Sequence, residues 1–376
     1  MSALIGAVCG IIGAFFAKSI GFVTDLREAN GFLVYLLPIG GLVSVGLYKL
    51  TKNEGVGTIR VLESARGGEK TPILLMPVIF AASVITHLFG GSACKEGAAL
   101  QIGGAVAEAA SKITRADEKK HSVYLICGMA ALFTAVFGPP FGAWIFALEV
   151  VVLKKAIIIS AVPALVSSII ANIVSVAIGV VPEKFEVHSV PDIGFAVIGK
   201  ALLISAVIAA VSMIFCYLLR GGEEILEKLF KNPFIRISAG GCVVIVLTLV
   251  FGTDYNGGGM GIIERIFEEG IVKPEAFLLK MIFTVITVSS GYRGGEIVPS
   301  LFIGSTLGGT LSPLLGLSPA FGAATGMIAF FSGVTNCPVA SAVISMELFG
   351  MEGFLFFAVA AFVARLVSGK KSLYTK

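Results

Sequence analysis

The feature that most constrains this chain is a series of apolar stretches, several of them broken by Gly or Pro before they could cross a bilayer. A membrane-spanning helix needs roughly 20 residues. The stretches run over residues 3–25, 31–50, 73–91, 97–113, 122–138, 141–153, 156–181, 194–219, 237–251, 276–290, 297–317, 320–333, 338–349 and 352–368. With 56% hydrophobic residues and a mean hydropathy of +0.96, the chain is far more apolar than a soluble domain. The sequence therefore predicts a multi-pass protein of the cell (plasma) membrane, surrounded by the lipid bilayer.

The short stretches predict an all-α architecture of tilted, re-entrant or half-spanning helices. Such helices leave backbone ends at membrane depth, where they must be buried in protein or line a polar cavity. This arrangement is typical of a transporter or channel. A glycine-rich helix bundle without a pore also fits the 46 glycines, because small residues let membrane helices pack closely. Composition alone leaves both interpretations open.

Charge and cysteine usage exclude several classes of partner. The net charge is a mild +4 and the polar loops carry both signs, which argues against nucleic acid. The six cysteines are dispersed, without CxxC or Cys/His spacing, and predict small core residues rather than a metal site. No cofactor is predicted. His87 is expected to be a structural imidazole.

Two further expectations concern the ends of the chain. Basic residues gather over 49–70, 112–120, 220–236 and in the tail from Lys370, which favours a cytoplasmic C-terminus. The N-terminal "MSALIGAVCG" lacks the basic region of a signal peptide, so the first helix is expected to be retained. No cytoplasmic regulatory domain is expected.

An internal repeat is the first sharp indication of function. In "PFGAWIFALEVV" and "PVASAVISMELF" a proline opens a small-residue apolar helix and a glutamate follows nine residues later, at Glu149 and Glu347. "CKEGAALQIGG" and "GGEIVPSLFIGS" correspond at nearly the same offset. The sequence therefore predicts an N-terminal membrane repeat over 1–185 and a C-terminal one over 186–376, which together form one transport domain. Interrupted helices in corresponding positions indicate a substrate site at the repeat interface.

Four glycine-containing breaks are candidates for lining that site. They are "NEGVGTI" (53–59), "GGSACKEGA" (90–98), "GYRGGEIVP" (291–299) and "GVTNCPVA" (333–340). Each precedes an apolar helix whose first N–H groups lack partners and attract anions. A pore lined by several such helix starts favours a small anion.

Glu96 lies at one of these helix starts. A deprotonated carboxylate there can occupy the place of a permeating anion, and a protonated one must leave it. An ionisable group at membrane depth is a functional candidate because its insertion costs about 2.5–3.5 kcal/mol. A simple pair with Lys95 is the structural alternative.

The ordered motifs "GVGT", "CKEGA", "GPPFGAWIFALE", "GYRGGEIVPSLFIG", "TNCPVASAVISMELFG" and "SGKKSLY" resemble those of the CLC family of chloride channels and halide/proton antiporters. The resemblance extends from about residue 50 to the C-terminus. It implies a homodimer whose subunits each contain a pore built from two inverted-topology repeats. Halide anions and protons are the implied transported partners.

The resemblance also implies roles for individual residues. Glu96 matches the gating and proton-coupling glutamate, and the hydroxyl of Tyr374 is expected to face the central anion. Backbone N–H groups at 295–297 are expected to bind that anion. The predicted anion-binding residues are Val56, Gly57, Lys95, Gly97, Gly295, Glu296, Ile297 and Tyr374.

Several residues depart from the family's pattern. Cys94 and Ala98 replace the glycine and proline that flank the K-E-G core, and Val56 replaces a serine that coordinates chloride. Val150 follows Glu149 where proton-coupled chloride members carry a second glutamate. The standard inner proton route is therefore not expected here.

Glu296 is the most informative departure, because typical members have an apolar residue there. "GGExxP" together with "TNxPxA" is similar to the bacterial fluoride-exporting branch, although Val298 stands where that branch is expected to carry a polar residue. A protonated carboxyl group donates a hydrogen bond, which fluoride accepts better than chloride. A helix cap or a pair with Arg293 is the structural alternative for Glu296.

The sequence thus favours halide transport, of chloride or fluoride, by anion/proton antiport gated by Glu96. A passive voltage- or proton-gated chloride channel of the same family is the alternative. An enzyme is not expected, because HExxH and GxSxG motifs are missing. An organic-anion carrier would need more basic residues inside apolar segments.

Overall fold

A computed structural model describes residues 1–151, 154–369 and 372–374. Across these residues the chain forms sixteen α-helices, two short 3-10 helices (Gly31–Leu36 and Pro313–Leu315) and no strand. The first eight α-helices are α1 (Ser2–Ala29), α2 (Leu37–Leu50), α3 (Thr58–Ala65), α4 (Leu75–Leu88), α5 (Lys95–Ile113), α6 (Glu118–Phe137), α7 (Pro140–Val151) and α8 (Lys154–Ala177). The second eight are α9 (Phe195–Leu229), α10 (Pro233–Phe251), α11 (Met260–Glu269), α12 (Ala276–Ser289), α13 (Ile297–Leu311), α14 (Pro319–Thr335), α15 (Pro338–Phe349) and α16 (Phe354–Ser368).

Helix lengths confirm the prediction of mixed spanning and half-spanning segments. In the described part of the chain, seven helical segments are long and apolar enough to cross a bilayer. Six other apolar helices, including α4, α7 and α15, have only 10 to 17 residues. The protein is therefore a multi-pass integral membrane protein whose short helices end inside the bundle.

The two sets of eight helices follow the same order. The short amphipathic helices α3 and α11 occupy the third position of each set, and the broken pairs α4–α5 and α12–α13 follow them. Glycines let the fifth and sixth helices of each set approach closely: a Cβ on Gly128 would lie 2.8 Å from the Ala107 side chain, and a Cβ on Gly308 would lie 3.1 Å from the Gly326 backbone. The same close packing in both sets confirms the repeat.

Glu149 and Glu347, the matched glutamates of the repeat, show that the two sets are inverted. The carboxylate of Glu149, near the end of α7, accepts hydrogen bonds from Val339 N (3.3 Å) and Ala340 N (2.8 Å) at the start of α15. The Glu347 carboxylate, near the end of α15, accepts from two amides at the start of α7. Each glutamate thus satisfies first-turn N–H groups of the other helix. This exchange requires α7 and α15 to lie antiparallel.

The observed helices differ from the predicted stretches at three places. The helices α3 and α11 lie outside the predicted stretches, because charged residues interrupt their apolar pattern. Helix α9 extends ten residues beyond the predicted stretch, over the polar sequence "RGGEEILEKL". This end is rich in Glu, Leu and Lys, which have high helix propensity, so the helix continues beyond the apolar stretch.

The capping exchange predicts a stability effect that sequence-matched controls can isolate. Glu347→Ala removes both acceptors from the Phe141 and Gly142 amides and should destabilise the protein by about 1–3 kcal/mol. Glu352→Ala, at an exposed site just beyond α15, is the control. The measurement is the thermal midpoint of monodisperse protein in detergent. Equal midpoints for the two variants would contradict the assigned role of Glu347.

Candidate functional site

The breaks before α5 and α13 are joined by their backbones. Cys94 N donates to Gly295 O (2.8 Å) and Gly295 N donates to Cys94 O (2.7 Å), which forms an isolated antiparallel bridge. The sequence suggested that these two breaks correspond in the repeat, and the structure brings them into direct contact. Two helix N-termini from opposite halves therefore begin at one place.

Glycine is required where these helix starts touch. A Cβ on Gly97 would lie 2.5 Å from the Gly295 Cα atom, and a Cβ on Gly295 would lie 2.6 Å from the Gly97 Cα atom. Both distances are shorter than any real carbon contact, and both involve backbone. Gly97 and Gly295 thus act by permitting close approach.

The bridge also corrects one expectation. The Gly295 N–H is used by Cys94 O, so the prediction that this N–H contacts an anion is wrong. The amide of Ile297 donates to no acceptor in the described ranges, and the amide of Glu296 faces only the carboxyl group of its own side chain. Both amides lie at the positive end of the α13 dipole.

Glu96 lies in the first turn of α5 and is completely buried. Neither carboxylate oxygen has a hydrogen-bond partner among the described residues. The Lys95 ammonium points elsewhere, because its Nζ lies 3.7 Å from Oε1 of Glu183 in the linker between the repeats. The alternative that Glu96 merely pairs with Lys95 is therefore excluded. A buried carboxyl group with no fixed partner is expected to exchange ligands or protons.

Glu296 and Tyr374 form a second polar cluster at the joined breaks. Glu296 is the N-cap residue of α13, and its carboxyl group makes no capping hydrogen bond to the first-turn amides, so the structural alternative of a helix cap is not realised. The buried hydroxyl of Tyr374 faces that carboxyl group without meeting ordinary hydrogen-bond geometry. The Tyr374 ring lies 6.3 Å from the Phe146 ring, centroid to centroid.

Arg293 connects the α13 break with the loop before α3. Its guanidinium lies over the Tyr48 ring, 4.1 Å from the centroid, and its Nη1 is 3.5 Å from Val56 O. Arg293 makes no ion pair with Glu296 within the described chain. The loop with Val56 and Gly57 thus contacts the α13 break through its backbone, and Gly57 precedes α3 in an extended conformation.

The fourth break contacts the C-terminal tail. Leu373 N donates to Val334 O (2.8 Å), which places the residue next to Tyr374 against the end of α14. Asn336, in the left-handed conformation (φ 61°), ends that helix and accepts from Ser368 Oγ. Lys370 and Lys371 of the predicted basic tail lie outside the described residues.

Two basins with no lining residue in common reach the joined breaks. The α11 basin, of about 600 Å³, is lined by α1, the 94–96 turn with Glu96, and the start of α11. The α10 basin, of about 420 Å³, is lined by α2, Gly55, the start of α10 and Arg293. Because Glu96 and Arg293 belong to breaks that touch, a path between the basins would pass the cluster of Glu96, Glu296 and Tyr374.

Val150 occupies the position at which the resemblance implies an inner glutamate in proton-coupled chloride members. Val150 is buried, and its carbonyl oxygen accepts a hydrogen bond from Arg66 Nη2 (2.9 Å). The preceding Glu149 caps α15. Neither residue offers a free carboxyl group for proton transfer.

Cys94 contributes a contact that the sequence did not indicate. Its buried Sγ accepts from Val298 N at 3.4 Å, so the thiol occupies one amide of the α13 start. Both residues line the α11 basin. Only the position of Cys94 at a helix start hinted at this contact.

Helix starts from two inverted halves, meeting around a buried carboxyl group between two basins, define a membrane transport protein for small anions. The sequence profile described as "Voltage gated chloride channel" matches residues 39–369, which is most of the chain. The chain therefore belongs to this family, the CLC family.

Curated relatives agree with this assignment. The chain is 30% identical to a chloride/fluoride channel protein of Pseudomonas syringae pv. tomato, over 100% of this chain and 84% of that protein. It is 25% identical to an H(+)/Cl(-) exchange transporter of Vibrio cholerae, over 93% of this chain and 81% of the relative.

Solved structures agree with the fold. A crystal structure of a CLC-type fluoride/proton antiporter matches with a TM-score of 0.94 and 32% identity, covering 99% of this chain and 95% of that one. The structure of a slow cyanobacterial Cl-/H+ antiporter matches with a TM-score of 0.82 at 18% identity, over 99% of this chain and 95% of that one, which supports the fold alone.

The close contact at the joined breaks predicts a strong effect of one added methyl group. Gly295→Ala places a Cβ against the Gly97 backbone and should destabilise the protein by about 1–3 kcal/mol, the usual range for overpacking. Gly199→Ala is the control, because no atom lies within 4 Å of its Cβ position in α9 and Ala favours helix over Gly. The measurement is monodispersity and thermal midpoint in detergent. A Gly295→Ala variant as stable as Gly199→Ala would contradict the described contact.

Proposed function

We propose that the protein exchanges a halide for protons across the membrane, with Glu96 as the gating and proton-coupling residue. The observation that carries this proposal is the burial of Glu96 without a partner at the joined starts of α5 and α13. The relatives described as H(+)/Cl(-) exchange transporter and CLC-type fluoride/proton antiporter support the same activity.

The physical basis is competition for one electropositive place. The first-turn amides of α5 and the amides of Glu296 and Ile297 attract a negative charge. A deprotonated Glu96 supplies that charge itself and closes the path. When Glu96 is protonated, the carboxyl group loses this attraction and a halide takes its place. Proton uptake and halide occupancy are therefore linked at one site.

The two basins supply opposite routes to this site. Basic residues outnumber acidic ones in the lining of the α10 basin, with Lys231, Arg236 and Arg293 against two glutamates, whereas acidic residues outnumber basic ones in the lining of the α11 basin. The positive-inside bias favours placing this basin, with the C-terminus, at the cytoplasmic side. The α11 basin, which contains Glu96, then opens to the outside.

Proton transfer between the site and the cytoplasmic side cannot use the second glutamate of proton-coupled chloride members, because Val150 occupies its position. Glu296 is the other carboxyl group within the joined breaks, and the Tyr374 hydroxyl faces it. We propose Glu296 as a protonated hydrogen-bond donor to the halide. This role favours fluoride, the stronger hydrogen-bond acceptor, and agrees with the likeness to the fluoride/proton antiporter.

We also propose roles for the other residues predicted to bind the anion, the boundary between the repeats and the oligomeric state. Val56 and Gly57, Lys95 and Gly97 contribute backbone positions around the anion path. The division of the chain into repeats over 1–185 and 186–376 falls in the linker between α8 and α9. We also propose a homodimer with one path in each subunit, to be tested by cross-linking in membranes.

Glu96 substitutions test the proton coupling. In proteoliposomes, a halide gradient should drive proton movement through the wild type, and Glu96→Gln or Glu96→Ala should abolish that movement while leaving halide flux. Glu264→Gln, on the exposed face of α11, is the control and should keep coupling. Intact coupling in both Glu96 variants would refute the gate. A wild type that passes halide without ever moving protons would identify a passive channel instead.

Glu296 substitutions test the choice of halide. Glu296→Ile restores the apolar residue typical of the family. It should lower the ratio of fluoride flux to chloride flux by about tenfold or more, because a hydrogen bond to a charged group contributes about 1.5–3 kcal/mol. Electrode measurements of fluoride and chloride efflux from the same preparation give the ratio. An unchanged ratio in a folded variant would remove Glu296 from the selectivity mechanism.

A further inference from the structure

Lys280 is a completely buried lysine in the middle of α12, away from the joined breaks. Its Nζ donates to Tyr255 O (3.1 Å) and Gly257 O (2.6 Å) and lies 5.2 Å from the centroid of the Phe302 ring. In the part of the chain that the structure describes, no carboxylate lies within ion-pair distance of this ammonium group. A buried charge without an opposite charge is costly and calls for a function.

The two carbonyl groups belong to a loop that borders the α11 basin. We call residues 252–259, "GTDYNGGG", the glycine loop. The loop is fastened to the break that carries Glu96: Asn256 Nδ2 donates to Gly90 O (2.6 Å), and Gly257 N donates to Gly91 O (3.2 Å). Lys280 therefore supports the wall that faces Glu96 across the basin.

The glycine loop also turns donors toward the basin. The backbone N–H groups of Gly258, Gly259, Met260 and Gly261 have no acceptor within the described ranges, and all four residues line the basin. Gly259 is left-handed (φ 85°) and begins α11, so consecutive amides lie side by side. With the carbonyl groups of residues 255 and 257 directed to Lys280, the amide side of the loop is left for the basin.

Most charged groups beside the basin are either paired or, like Asp25 and Arg265 of its lining, exposed, so Lys280 is unusual as a buried cation without an ion pair in the described chain. Arg27 pairs with Glu28 (3.2 Å), Lys95 with Glu183 (3.7 Å), and Asp254 with Lys273 (2.8 Å). Each pair largely cancels its own field at a distance. The charge of Lys280 is not cancelled in this way, and burial protects it from screening by salt.

We propose that Lys280 is a positioning residue for the transported halide: its charge, together with the amides of the glycine loop that it orients, makes the α11 basin attractive to the anion. Lys280 touches neither the anion path nor Glu96 and acts through the loop and through its field. This inference rests on the proposed halide transport and names a determinant of halide affinity within it.

The test compares halide affinity with maximal rate. Lys280→Met keeps the length of the side chain and removes its charge, whereas Lys280→Arg keeps the charge. Lys119→Met is the control, because it removes an exposed positive charge that lies outside the lining of this basin. Initial rates of fluoride and chloride efflux from proteoliposomes are measured against halide concentration.

We expect Lys280→Met to raise the half-saturating halide concentration on the order of tenfold, the effect of one charge at about 10 Å in a medium of effective dielectric constant about 20. The maximal rate should change less than twofold. Lys280→Arg should stay closer to wild type, and Lys119→Met should match wild type. A merely structural lysine would instead lower the maximal rate or the yield of folded protein without shifting half-saturation.

A folded Lys280→Met variant with unchanged half-saturation would overturn the proposal. Should that variant fail to fold, Lys280→Gln, which keeps a hydrogen-bond donor without the charge, decides the question by the same criterion. The proposed antiport is judged separately: a wild type that moves halide but no protons refutes the antiport, while the half-saturation comparison still decides the role of Lys280.

Discussion

The contact on which the rest of the structure depends is the backbone pairing of Cys94 with Gly295. Two hydrogen bonds of 2.7–2.8 Å hold the starts of α5 and α13 together at membrane depth. Without the bridge these strand-like breaks would leave unpaired polar groups in a medium that cannot hydrate them. The bridge satisfies the outermost groups, and the Cys94 thiol accepts from the Val298 amide, while the Ile297 amide is left without an acceptor in the described chain. The same contact that makes two interrupted helices tolerable therefore creates the electropositive place that an anion or the Glu96 carboxylate can fill.

Inversion of the repeats explains why such a place forms only once. Each half contributes one of the two joined helix starts, and a single helix start attracts an anion only weakly. Antiparallel packing of α7 against α15, fixed by Glu149 and Glu347, brings the halves face to face. Glu149 and Glu347 correspond in sequence because each accepts hydrogen bonds from the first turn of the other's helix.

Apolar length, glycine breaks and the repeat predicted most of the fold and the location of the site. The prolines at 140 and 338 marked the first residues of α7 and α15, because a helix tolerates proline in its first turn. Sequence could not identify α3 and α11, whose charged faces hide them, or the capping roles of Glu149 and Glu347. It also could not foresee that Gly295 N–H is used in the bridge or that Cys94 Sγ accepts from Val298, since both depend on the register between segments about 200 residues apart.

The placement of Lys280 and Glu96 on two sides of one basin suggests why proton and halide movements should be coupled. Each is a buried ionisable group without an ionic partner among the described residues, and the other pairs around the basin are internally balanced. When Glu96 is ionised, its charge offsets that of Lys280 across the basin. Protonation of Glu96 leaves the lysine charge without a counter-charge, and a halide restores the balance. A low-dielectric site favours states of near-zero net charge, so a proton on Glu96 and a halide in the site should arrive together. Coupling by this route needs no second glutamate at position 150, which is consistent with the valine found there.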